Sequence, residues 1–436
     1  MFPNKYASLF NFILNIYMKV SAFKWMRIVL FNLLIVAFLG CILRYKIAFS
    51  LTFINQKYLL HGHSHFAFSG WITQILMVLI LLDISKYADK NLIAKYNKIL
   101  IANLIAAYGM LLTFPIQGYG IFSISFSILS TLIFYWFSYI IFVEIKNIKK
   151  FVSAFYWYKA SISLGLLSTL GTFTLAFLMT TLQKSQNAYL LSLYEYLHFQ
   201  YNGWFFFALM GLLISKIELF IISNKILKKI FWMFFLSCFP AYFLSVLWLP
   251  IPNCAFIIVI LAALIQTWAL FDFWKIIIQV KDKFSTTLNP GKLLLLLSLI
   301  ALSIKIFLQL FSTIPILSQI AFGYRSIVVG YLHLIFLGVI TIGIFGYLLN
   351  EGIIILNKIQ LWGLWTFIIG IILNQVVLFL QGVSGLFYLY IPFLNQLLFL
   401  MAIVMFSGLI ILVFNSQEKR KIEYVLYENH HKFVFI

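Results

Sequence analysis

Apolar residues run through this chain in long blocks parted by short polar loops, with none of the period-two alternation of a half-buried strand. A helix needs roughly 20 apolar residues to cross hydrocarbon. Blocks of that length are read at 28–49, 60–82, 97–115, 119–143, 157–181, 197–221, 228–249, 254–278, 292–313, 325–349, 359–381 and 389–414. Only helices or closed barrels satisfy the backbone in lipid, and these blocks are too long and unbroken for barrel strands. The expected fold is therefore all-α, a polytopic membrane bundle of about twelve transmembrane helices. Residues 1–27 read as a cytoplasmic, interfacial segment, 28–414 as one transmembrane domain and 415–436 as a cytoplasmic tail. The stretch from Ala7 to Tyr17, bracketed by Lys5 and Lys19, reads as amphipathic rather than as a cleaved leader, since no small-residue cleavage site follows. No internal repeat and no soluble domain is read from the loops.

Composition agrees with the pattern: of 436 residues 64% are hydrophobic and 10% charged, with a mean hydropathy of +1.03. Such a chain has too little polar surface to be a water-soluble protein. The net charge of +20 does not imply a nucleic-acid partner, because the lysines are spread among loops rather than gathered in one patch. They encode orientation instead. With the amino terminus in the cytoplasm, 25 of the 31 Lys and Arg fall on the inner side, so both termini are expected inside a bacterial inner (plasma) membrane. Cys41, Cys238 and Cys254 are isolated thiols with packing as their expected role.

The histidines carry the candidate chemistry. With this topology His61, His63, His65, His198 and His333 open spans two, six and ten from the outer side, and a metal or haem needs imidazoles from several helices at one depth. In "LLHGHSHFAFSGW" His61 and His65 lie about 40° apart on a helix, with His63 on the opposite side. They read either as a polar interfacial cap or as ligands, and in an extended segment the HxHxH spacing would suit zinc or copper. His333 lies eight residues beyond Arg325, roughly 12 Å along the helix, and needs either a hydrogen-bond partner on a neighbouring helix or a metal. His198 follows Glu195 among Tyr194, Tyr196 and Tyr201, which reads as an aromatic belt or as a second metal or quinol site with Glu195 accepting protons. Lys305, inside span nine, is expected to snorkel. His430 and His431 read as incidental to a solvated tail.

These features resemble subunit I of the haem-copper oxygen and nitric oxide reductases. The likeness covers the bundle in topology and, in residues, three short motifs: "LH" followed by "FAFSG" on span two, His198 on span six, and Tyr331-Leu332-His333 up to Gly338 on span ten. It implies a low-spin haem held by His333 and His61, with His65 as the competing register. It further implies a copper ligand at His198, beside His63, and Tyr331 at the place of a second haem's axial ligand. Arg325 and Lys305 would stand in for the propionate-binding arginines. Phe66, Phe68, Gly70, Trp71, Gly330 and Gly338 would frame the porphyrin.

The chain departs from that pattern on span seven, where "IFWMFFLSCFPAYFLSVLWLP" has no histidine pair, so copper is incompletely held and no full oxygen-reducing centre is expected. Without CxxCH the haem would be b-type. The resulting expectation is a bis-histidine haem b for electron transfer, an oxidoreductase of the respiratory chain fed by quinol or cytochrome c, with a partner subunit. Two alternatives stay open: a membrane haem-copper protein of the nitric-oxide-stress type, echoed by His63-Ser64-His65, and a divalent-metal transporter or assembly factor using the HxHxH cluster. Transport calls for carboxylates within the spans, where only Asp272 comes close.

Overall fold

The computed structural model describes residues 3–180, 185–220, 224–280 and 289–415, and each predicted block falls on one long helix. In chain order these are α1 (Pro3–Phe49), α2 (Gln56–Ala88), α3 (Asn97–Gln117), α4 (Ile121–Asn147), α5 (Ala154–Thr180), α6 (186–217), α7 (Asn224–Val246), α8 (Asn253–Val280), α9 (Pro290–Phe311), α10 (Arg325–Asn350), α11 (Lys358–Leu386) and α12 (Leu394–Phe414). Among the described residues there is no strand, and eleven helices are long and apolar enough to cross a membrane. The one that falls short is α6. Its first half carries Glu195, His198, Gln200 and Asn202, which leaves too short a purely apolar length.

At the amino end α1 runs unbroken from Pro3 to Phe49, through the expected edge of the membrane domain near residue 27. Between Pro3 and Gly40 the sequence contains neither proline nor glycine, so nothing stops the helix at the lysines. The tail with His430 and His431 lies outside the described residues.

The chain divides into two compact units, one of residues 1–150, 351–374 and 393–436, the other of 151–350 and 375–392. In the first, α1 packs on α2 and α12, α2 on α3, and α3 on α4. Close helix approach there uses small residues: a side-chain carbon on Gly363 would sit 2.8 Å from the Gly408 carbonyl. In the second unit α5 packs on α6, α7 on α8, and α9 on α10. Large apolar side chains such as Trp136, Phe177 and Trp362 point outward, as a lipid-facing surface requires. Among the eleven helices long and apolar enough to cross a membrane α2 stands apart: 94% of its most apolar stretch is buried in protein, against 33 to 50% in the other ten.

The order of elements recurs three times, which corrects the expectation of no internal repeat. Each group of four helices, beginning with α1, α5 and α9, has a second helix broken by a π-helical stretch: Ala67–Thr73 in α2, Phe199–Phe205 in α6 and Leu334–Thr341 in α10. These are the π stretches among the described residues, and each starts one or two residues behind a candidate histidine. The sequence behind them is H-x-x-aromatic-x-G: His65, Phe68, Gly70; His198, Tyr201, Gly203; His333, Phe336, Gly338.

Candidate functional site

A π-helical stretch leaves carbonyls without their usual helical partners and is frequent at functional positions. In the first unit, side chains of neighbouring helices supply the missing donors. Asn32 Nδ2 of α1 donates to Gly70 O at 2.6 Å, and Tyr108 OH holds Asn32 Oδ1 at 2.9 Å. On α3, Asn103 Nδ2 donates to Ser69 O at 3.1 Å and to Gln74 Oε1 at 2.7 Å. The π stretch behind the histidines is thus pinned by buried amides from two directions. Asn32 and Asn103 belong to the site's support, and sequence reasoning passed over them. Two lone asparagines in the middle of apolar spans were the available signal.

Ahead of the π stretch, His61 and His65 share one side of α2 and His63 takes the other, as the helical spacing implies. His61 lies edge-on to Tyr119, ring centres 4.6 Å apart, and His65 stacks on Phe114 at 4.2 Å. His65 Nε2 is 3.4 Å from Tyr119 OH. Tyr119 reaches them from the α3–α4 turn. Gly118, with φ +60, allows that turn, and Tyr58 fills the space a side chain would need there. His63 faces α1, within 3.5 Å of where a Gly40 side chain would begin, and its ring bonds the Val36 backbone. Two ring nitrogens, His61 Nε2 and His63 Nδ1, are buried without a hydrogen-bond partner. Such an orphaned nitrogen is destabilising by about 1–3 kcal/mol unless a ligand takes its lone pair. Lys57 and Arg44 act electrostatically on His61 and His63, and neither was singled out from the sequence.

The glycines expected to frame a flat ring have other neighbours. A side-chain carbon on Gly70 would collide with the Phe66 ring at 2.6 Å, and one on Gly338 would meet Ala301 at 3.2 Å. Helix packing and a neighbouring phenyl ring already use the space beside them.

In the second unit His198 is fully engaged. Its Nε2 lies 2.9 Å from Cys238 O and its Nδ1 accepts from Asn202 Nδ2 at 3.1 Å. With both ring nitrogens bonded and the residue 1% exposed, it serves as a strut between α6 and α7. Among the described residues no group of three or more His, Cys, Asp or Glu side chains is arranged to hold a metal. On α10, His333 Nδ1 donates to Val329 O at 2.8 Å. Val329 lies one turn back on the same helix, and this bond fixes the tautomer with the lone pair on Nε2. Tyr331 is half-buried one turn from the π stretch, and Arg325 is exposed at the first residue of the helix.

Lys305 does not snorkel. It is 7% exposed and lines a small cavity of about 10 Å³ with Asn202, Cys238 and Gln266. The carboxylate of Asp272, the one expected to come closest to serving transport, is held by Lys229 at 2.8 Å and Lys275 at 3.1 Å. No family model matches the chain, and no curated protein matches it.

Proposed function

We propose that the chain is an integral membrane protein that binds a b-type haem at the histidine-bearing end of α2, with His61 as an axial ligand, for one-electron transfer. The observation that carries this reading is the buried, unpartnered His61 Nε2 on the most enclosed helix of its unit. Iron would take the lone pair that no protein group satisfies, and Lys57, which acts electrostatically on His61, would supply positive charge for a carboxylate of the prosthetic group. The second axial ligand expected from the sequence is His333, whose Nδ1–H bond to Val329 holds its ring in the ligating tautomer. Bound through two imidazoles, a haem exchanges single electrons and has no open position for oxygen. Support for a copper site is weaker, since the bonds made by His198 occupy both of its nitrogens. The reading extends to a bacterial inner membrane with both termini inside, and to quinol or cytochrome c as donor.

The test is an optical spectrum of the dithionite-reduced protein purified in detergent. A sharp α-band, lost in His61→Ala and in His333→Ala but kept in His198→Ala, supports the reading; a featureless spectrum overturns it. One observation favours a second reading: His61 and His65 both lie against Tyr119. If the spectrum is featureless and one zinc or copper ion binds in a manner lost in His61→Ala, a divalent-metal site replaces the haem.

A further inference from the structure

We propose that a cavity at the lysine-rich end of the second unit binds the phosphodiester headgroup of an anionic phospholipid. The cavity, about 130 Å³, lies where α5 and α7 begin. Trp157 and Phe231, 1% and 4% exposed, form its inner wall with ring centres 5.3 Å apart. Phe151 and Tyr156, both exposed, stand 5.9 Å apart at its rim. Lys225 and Lys228, three residues apart on α7, complete the lining.

The charge pattern selects the occupant. Other lysines of the protein have carboxylates: Lys229 holds Asp272 at 2.8 Å, Lys95 holds Glu144 at 2.6 Å, and Lys86 holds Asp83 at 2.9 Å. Lys225 and Lys228 make no ion pair among the described residues, although both line a concave site. Glu218 is drawn away to the Ser153 N–H at 2.7 Å. Two unpaired ammonium groups over an aromatic, apolar wall at a membrane boundary match a molecule with an anionic head and an apolar body. A free phosphate ion would satisfy the lysines but would gain nothing from the wall.

The full-length protein, reconstituted in nanodiscs of mixed phosphatidylglycerol and phosphatidylcholine and then washed with detergent, tests this by the lipid it retains. Wild type should keep phosphatidylglycerol in preference. Lys225→Gln with Lys228→Gln should reduce the retained amount on the order of tenfold, as expected from losing two interfacial cations. Arginine at both positions should restore it. Lys146→Gln with Lys149→Gln, which removes the same charge elsewhere, should change it less than about threefold. Equal losses in the two glutamine pairs, no preference between the lipids, or complete displacement by inorganic phosphate would each overturn the proposal.

Discussion

His198 Nε2 and Cys238 O, 2.9 Å apart, clamp α6 to α7 where α7 changes from α-helical to 3-10 geometry over Tyr242–Val246. The change in helical pitch, beside Pro240, releases carbonyls that would otherwise accept within the helix, and the imidazole N–H takes one of them. His198→Ala removes this bond and strands the Asn202 amide, so it should lower stability by about 1–3 kcal/mol. The check is the melting temperature of the detergent-solubilised protein. A metal ligand would in addition show loss of bound metal, and the variant's melting temperature would equal that of the metal-stripped wild type.

Gly62 sits between the two orphaned histidines and against Pro115. A side-chain carbon there would lie 2.8 Å from Pro115 Cγ, and a pyrrolidine ring has little room to yield. Gly62→Ala should therefore push α2 off α3 at a cost of about 1–3 kcal/mol. If His61 ligates haem, haem content should fall in parallel. Unchanged stability together with full haem content would show that α2 is not held at this contact.

The Lys95–Tyr96–Glu144 cluster fixes the start of α3 against α4, with both Lys95 and the Tyr96 hydroxyl bonded to the Glu144 carboxylate. The bond to Glu144 raises the Lys95 ammonium above its ordinary 10.5. Burial first, and then the same carboxylate, raise the Tyr96 phenol above 10.0. Both groups hold their protons more tightly when folded, so their contribution is complete below about pH 10 and is lost as the pH climbs past it. The melting temperature should be flat between about pH 7 and 9 and fall above about 10. Glu144→Gln should flatten that alkaline fall, and an equally steep fall in the variant would place its cause elsewhere.

Much of the fold was legible because the apolar blocks have the length of a bilayer crossing, and all twelve landed on helices. The length of α1 was not legible, since lysines mark a membrane edge without interrupting a helix. His61, His63 and His65 were correctly divided between two faces, because that follows from helical geometry alone. The partners of His198 and His333 were not legible. The carbonyls that engage them, Cys238 O and Val329 O, are backbone groups that any residue could supply. The threefold recurrence was present in the letters, as His65-Phe66 to Gly70-Trp71 and His198-Phe199 to Gly203-Trp204. It became visible only when the π stretches set the three histidines in one register.

Lys305 is a buried cation with little local support. It lies on α9, 7% exposed, without a carboxylate partner among the described residues, beside a cavity of about 10 Å³, roughly the room for one water. Burying an amine inside a membrane span without a counter-charge is unfavourable by about 2.5–3.5 kcal/mol, so methionine, similar in length and apolar, should be better tolerated. Lys305→Met is expected to raise stability by about 1–3 kcal/mol, read as a higher melting temperature, whereas Lys305→Arg should lower it through overpacking. A fall in Lys305→Met would mean that the amine is held through a water to Gln266 or Asn202. If stability rises while electron transfer slows, the lysine is retained for function at the expense of stability.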